Sequence, residues 1–294
     1  MRVNPHYMTQ ILESLAQTQQ LEETALQQMA SGRRINKPSD DAAGAAVLTQ
    51  IQDKTSKTDS YLRSIGDITG QLQTADSTLG SVVTALQRAI TLGVQGATGT
   101  ESDADRMALA QEASGIRDSL ISLANTSFEG RFIFSGTSQN RPYALDNTQA
   151  SGVRYDGNSG VNHVTIGDGF QLQMNLPGAQ LFSATGPGMF QAINDLITSL
   201  TTDTGIDAAV TSLRASFDHV TAQRVFYGNA LNQIESQQIN LSNLKLQLSQ
   251  QENVVAGADL TQAASQLVNA ENARNAALAA VAKVSQSNLF DFLR

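Results

Sequence analysis

The chain has 294 residues, of which 40% are hydrophobic, 16% charged and 5% aromatic, with no Trp and no Cys. Lys and Arg number 19 against 27 Asp and Glu, a net charge of −8. An acidic chain without a basic cluster is poorly built to follow a phosphate backbone, and zero Cys excludes disulfides, thiolate nucleophiles and Cys-ligated zinc.

Residues 1–37 carry one apolar helical face, Met8, Leu12, Leu15, Leu26 and Met29. Pro5, His6 and Gln10 interrupt the stretch that a cleavable signal peptide needs continuously apolar, so any export is expected to use no such signal. Pro38-Ser39-Asp40-Asp41 then supplies helix-capping side chains and negative charge for a positive helix end. No Pro lies between Pro38 and Pro142, where average usage would place about five. Alternating steps of 3 and 4 from Leu48 run through Ile51, Thr55, Thr58, Leu62, Ile65, Thr69, Leu72, Asp76, Leu79, Val83, Leu86 and Ile90. Nine of these thirteen are apolar, which predicts a long helix. Gly93, Gly96 and Gly99 predict a turn, and Leu109, Ala113, Ile116, Leu120 and Leu123 a second helix beginning near Asp103.

The middle has another rhythm. Ten of the 22 Gly and three of the five Pro fall within residues 128–188. Phe132–Phe134, Val153–Tyr155, His163–Ile166 and Gln171–Met174 are short β-type runs between turn residues. The longest uncharged run, Gly169–Asn194, holds Pro177, Pro187 and four Gly, so it predicts no membrane insertion. Beyond Pro187, Phe190, Ile193, Leu196, Ile197 and Leu200 predict a short helix. Val210, Leu213, Phe217, Val220, Arg224, Tyr227, Leu231, Ile234, Gln238, Leu241, Lys245 and Leu248 predict a long one. Its narrow stripe is that of a coiled-coil seam.

The C-terminal stripe is Leu260, Ala263, Leu267, Ala270, Ala277, Val281 and Val284, interrupted by Arg274. Leu289, Phe290, Phe292 and Leu293 follow, four apolar residues among the last six. Ordering about 30 residues costs roughly 30–60 kcal/mol of backbone entropy, whereas some seven apolar side chains return about 10–20 kcal/mol when fully buried. Neither end holds itself. Both are expected to be loosely ordered alone and helical when packed together and against neighbouring subunits, with these apolar residues as the assembly interface.

Signs of chemistry are weak. His6, His163 and His219 have no metal-ligand spacing between them. Asp156-Gly157-Asn158-Ser159-Gly160 opens like a calcium loop, but Val161 and Gly167 stand where that loop needs Gly and a bidentate Glu. Gly167-Asp168-Gly169 lacks the Lys of a phosphate loop and reads as a turn. Adjacent Asp40 and Asp41 point about 100° apart on an incipient helix and do not converge on one reacting atom. No catalytic, metal or cofactor residues are predicted.

Ser31-Gly32-Arg33-Arg34-Ile35-Asn36-Lys37-Pro38-Ser39-Asp40-Asp41-Ala42-Ala43 resembles the N-terminal signature of the bacterial flagellin superfamily. Its Pro-Ser-Asp-Asp form is similar to that of the junction-protein branch, as are the start Met1-Arg2-Val3 and the end Asn288–Leu293. Phe132-Ile133-Phe134-Ser135-Gly136 is similar to that branch's approach to its β region. Ala42-Ala43-Gly44-Ala45-Ala46 departs from it and is nearer to filament flagellin, which stands as the alternative. The resemblance implies a non-enzymatic structural subunit without cofactors, exported through the flagellar type III apparatus and assembled outside the cell as a ring of copies between hook and filament. Its implied partners are another hook-associated protein, flagellin and an export chaperone. Nucleic acid and membrane are not among them.

The expected fold is α+β: an elongated, discontinuous helical bundle or coiled coil from the N- and C-terminal segments, with an inserted small β-rich domain. The expected boundaries are an N-terminal assembly segment 1–37, helical rods 38–127 and 188–256 flanking the β-rich insert 128–187, and a C-terminal assembly segment 257–294.

Overall fold

The computed structural model describes the backbone of residues 6–99, 101–183 and 188–292, and within those ranges the side chains from 9 to 283. The chain order is α1 (His6–Ser31), α2 (Ala42–Gly96), α3 (Asp103–Ala124), β1 (Ser127–Phe128), β2 (Arg131–Phe132), β3 (Tyr143–Leu145), β4 (Val153–Tyr155), β5 (His163–Gly167), β6 (Phe170–Gln173), α4 (Gly178–Phe182), α5 (Met189–Thr202), α6 (Ile206–Ala256) and α7 (Leu260–Phe292). These form two compact units, residues 1–57 with 244–294, and residues 58–243. The long helices α2 and α6 contribute to both, so the divisions at 57/58 and 243/244 fall inside helices rather than at their ends.

Capping sets the helix starts. Asp41 Oδ1 accepts from Gly44 N at 2.9 Å in the first turn of α2. Ser102 and Asp105 form a reciprocal capping box on α3. Asp259 Oδ1 accepts from Thr261 N and Gln262 N at 2.9 and 3.1 Å, starting α7.

In residues 58–243 the core face of α2 is Ile65, Ile68, Leu72, Ala75, Leu79, Val82, Leu86, Ala89 and Leu92, each at most 3% exposed. Half of the expected stripe is shifted by one residue: 68, 75, 82 and 89 are the deepest positions, with 69, 76, 83 and 90 half-buried beside them. The seam is therefore wider than a two-helix coiled coil requires, because this stretch of α2 is buried among several elements. On α6 the burial is likewise broad from Ile206 to Ala230, then narrows to Ile234, Leu241 and Leu248 at seven-residue intervals.

Each long stripe has one charged break within this unit, and the two meet. Arg224 Nε and Nη2 donate to Asp76 Oδ1 and Oδ2 at 2.7 and 2.9 Å, a bidentate pair across 148 positions of chain. It fixes the axial register of α2 on α6. Asp76→Asn is expected to cost about 1 kcal/mol, since both partners are partly solvated. The charge exchange Asp76→Arg with Arg224→Asp should recover most of that loss in urea titrations.

Gly93 and Gly96 are helical, not part of the turn expected from sequence. A Cβ on Gly93 would lie 2.5 Å from Val210 Cγ2 and 2.9 Å from a Leu196 methyl, and one on Gly96 would strike Leu200. Glycine here permits close helix contact, and the turn is left to Gly99 at φ +67°.

The β region consists of three separate antiparallel pairs, β1–β2, β3–β4 and β5–β6. Two-stranded hairpins this short cannot enclose a core. Residues 128–183 instead share one core with the helices of their unit, Ile133, Phe134, Tyr143, Ile166, Leu172 and Phe182 packing in one cluster with α2, α3, α5 and α6 residues. Phe134 meets Phe182 edge-on at 5.5 Å between ring centroids, and Tyr143 lies 4.9 Å from Phe190 of α5. Side-chain amides replace the missing sheet bonds. Asn125 accepts from Tyr143 N and donates to Tyr143 O, both at 2.9 Å. Buried Asn175 accepts from Asn162 N at 2.7 Å and donates to Gly136 O and Gly160 O at 3.3 Å.

Candidate assembly interface

The terminal helices α1 and α7 pair antiparallel within the unit formed by residues 1–57 and 244–294. Near their junctions Ala258 N donates to Gly32 O at 3.0 Å, and further along Arg274 Nη1 donates to Glu22 Oε1 at 2.9 Å. Their buried positions are small. Thr18 and Ala25 on α1 and Ala263 and Ala270 on α7 are at most 7% exposed, each pair seven residues apart. A seam of Ala and Thr brings the helix axes close and leaves the bulky residues outside it.

Of the residues expected at an assembly interface, Leu12, Leu26, Met29 and Leu260 are exposed at 53, 50, 40 and 53%. Leu15, Leu267 and Val281 are half-buried. Met8, Val284, Leu289, Phe290, Phe292 and Leu293 lie outside the residues whose side chains are described. Leu21, Val268 and Leu278 are also exposed, so the pair carries unsatisfied apolar surface on both helices. Sequence reasoning missed the Thr18–Ala25 seam and treated Arg274 as a mere interruption. Arg274 instead chelates both oxygens of Glu22 with Nη1.

The signature loop between α1 and α2 is folded by its two aspartates. Asp40 Oδ2 accepts from Lys37 N at 2.8 Å and Asn36 N at 2.9 Å. Asp41 accepts from Gly44 N through one oxygen and from Arg34 Nη2, at 3.1 Å, through the other. Arg33 pairs with Glu252 at 2.6 Å. Pro38 and Ser39 are exposed in the turn between them. The backbone N–H groups of Lys37 and Asn36 hold the Asp40 carboxyl below its ordinary value, as Gly44 N–H and the Arg34 guanidinium do for Asp41. Depressed carboxyl pKa values stabilise the folded loop above the unfolded value near 3.8 and lose that contribution as pH falls through the folded value. Amide resonances of Asn36, Lys37 and Gly44 are therefore expected to be constant from about pH 7 to 5 and to titrate with midpoints below the free-carboxylate range.

Charge is divided unevenly. Residues 1–57 and 244–294 hold ten acidic and ten basic side chains, including all five Lys, while residues 58–243 hold 17 acidic and nine basic and so carry the whole net charge of −8. Among the described residues no group of three His, Asp or Glu is placed to hold a metal ion, and no helix is long and apolar enough to cross a membrane. His219 Nε2 is bonded to Gln180 O at 2.8 Å, a structural contact.

Residues 3–139 match the family described as the bacterial flagellin N-terminal helical region. The signature loop and its capping aspartates lie inside that match. The chain as a whole is 28% identical over 290 residues to flagellar hook-associated protein 3 of Escherichia coli, covering 90% of each. It is 35% identical over 162 residues to the protein of that name from Salmonella typhimurium, where the match spans 54% of this chain and about half, 49%, of the relative. Polar flagellin F of Vibrio parahaemolyticus is 34% identical over 113 residues, 38% of this chain and 30% of that one. The fold is that of hook-associated protein 3 from Legionella pneumophila (TM-score 0.64, 13% identity, 69% of this chain and 97% of that one). It is also that of Bacillus cereus FlgL (TM-score 0.59, 20% identity, 70% and 99%). The resemblance to the junction-protein branch of the flagellin superfamily, first read from the signature loop and the chain's ends, thus runs along most of the chain.

Proposed function

We propose that this chain is a structural subunit of the bacterial flagellum that joins hook to filament. The observation that carries this reading is the extent of the match: hook-associated protein 3 of Escherichia coli aligns with 90% of the chain, whereas Vibrio parahaemolyticus polar flagellin F aligns with 38%. The work of such a subunit is assembly, without a reaction or a cofactor.

In this reading segments 1–37 and 257–294 dock against copies of the same chain in a ring, against another hook-associated protein on one side and flagellin on the other. The leucines of α1 and α7 supply the apolar area. The electrical neutrality of their unit supports close packing of like copies, and the acidic charge of the chain lies in the remaining residues. The α1–α7 pairing already orders much of both ends in the single chain, so docking spends energy only on ordering the rest and on enclosing the outward leucines. The site of action is extracellular, reached through the flagellar type III apparatus with an export chaperone on the C-terminal segment and without a cleavable signal.

The test is complementation of a strain lacking its own junction protein. The full chain is expected to restore filaments. A chain lacking residues 289–294 is expected to yield hooks without filaments and flagellin lost to the medium. Normal filaments from the truncated chain would remove the terminal interface from the reading. Growth of long filaments from the purified chain on flagellin seeds would instead mark it as a filament subunit.

A further inference from the structure

The two places where the chain turns into a terminal helix are tied to each other. Residues 32–41 link α1 to α2, and residues 257–259 link α6 to α7. Arg33 and Gly257 form an antiparallel bridge, with Arg34 N donating to Ala256 O at 2.7 Å and Ala258 N to Gly32 O at 3.0 Å. Two glycines shape the turns that bring these strands together. Gly32 sits at φ +66°, and a Cβ on Gly257 would strike the Asn253 carbonyl at the end of its own helix.

Arg34 ties three elements together. Its Nη2 donates to Asp41 Oδ2 at 3.1 Å, at the cap of α2, and to Val255 O at 2.9 Å, in the last turn of α6, while its own backbone lies just beyond α1. Ile35 is buried at 4% exposure beside it. The Arg33–Glu252 ion pair, 219 positions apart in sequence, closes the outer side. Two plain linkers would let each terminal helix fray from its own end independently. Here neither linker opens without breaking the hydrogen bonds of the other.

We propose that this clasp, keyed by Arg34, makes α1 and α7 open and close as one unit, so that capture of either end by a second copy of the chain is transmitted to the other. The α1–α7 seam couples the helices side by side, and the clasp couples them at their roots, so a test must alter the root alone. Arg34→Lys keeps the charge but loses the planar fork and leaves every seam residue in place. Amide hydrogen exchange on the full chain is the readout. Residues 10–27 and 261–280 are expected to exchange faster by a similar factor, about tenfold, with residues 65–92 unchanged.

Acceleration confined to residues 32–41, or to one terminal helix, overturns the proposal. So does a parent chain in which neither terminal helix is protected. A second series guards against a misfolded lysine variant. Glu252→Arg alone should accelerate both helices, and adding Arg33→Glu should restore both; failure of the exchanged pair to restore them also overturns it. Exchange is read on the single chain, so its outcome is distinct from that of flagellar complementation.

Discussion

Serine at Leu12, Leu26 and Leu260 together is expected to abolish incorporation into flagella while leaving the urea unfolding of residues 58–243 unchanged. All three side chains are at least half exposed in the single chain, and surface substitutions of this kind shift stability by about 0.5 kcal/mol or less. In an assembled tube the same side chains would be enclosed. Fully burying a leucine contributes about 1.5–3 kcal/mol, and about 4 kcal/mol already separates a millimolar from a micromolar complex. Three lost leucines therefore exceed what an assembly contact tolerates. Electron microscopy of complemented cells, with circular dichroism on the purified variant, reads both halves of the expectation. Normal filaments from a variant that folds normally would show that α1 and α7 dock through other residues.

The second large effect concerns stability alone. Phe134→Ala is expected to destabilise residues 58–243 by about 3–5 kcal/mol, the range for emptying an aromatic site in a close-packed interior. Phe134 is fully buried, its ring stands edge-on to Phe182, and its carbonyl would lie 2.8 Å from a Cβ on Gly178. Such crowding leaves little room for collapse into the void. A urea midpoint shift equivalent to less than about 1 kcal/mol would mean that the β hairpins pack loosely on the helices and contribute little to the common core. The two experiments separate docking from folding, because one variant leaves the core whole and the other leaves the terminal helices untouched.

The contrast between these sites follows how much of each was legible in the sequence. The long helices were legible, since a 3–4 spacing sustained over forty residues without Pro has few other solutions, whereas the single-turn α4 (Gly178–Phe182) was not. The stripe's width was not. Leu72 and Leu79 were identified as core, yet Ala75 and Val82 lie deeper than Asp76 and Val83, because the number of neighbours around a helix sets how much of its face is covered. Asp76 and Arg224 were visible only as defects in separate stripes. That they face each other depends on the axial offset of α2 against α6, which no local pattern encodes.

The terminal helices show the same division. The apolar residues of α1 were read as one face, but the structure places Thr18 and Ala25 in the seam and Leu12 and Leu26 outside it. Small residues carry little weight in a hydrophobicity pattern, yet their size lets two helix axes approach closely. Most of the clasp's second strand was illegible, because Ala256 and Val255 take part through backbone carbonyls, which every residue possesses.

The amino-acid sequence by itself determined that the long segments are helical, where the turn-rich middle lies, that the signature loop carries its own caps, and which superfamily the chain resembles. Each follows from interactions within a few residues or from motifs that are local by nature. Only the tertiary structure decided which side of each helix is covered, that the three hairpins share a core with their helical neighbours, and that the roots of α1 and α7 are bonded to each other. Those features join residues from 47 positions apart, as Tyr143 and Phe190 are, to 219 apart, as Arg33 and Glu252 are, and burial and hydrogen-bond geometry at that range exist only once the elements have packed.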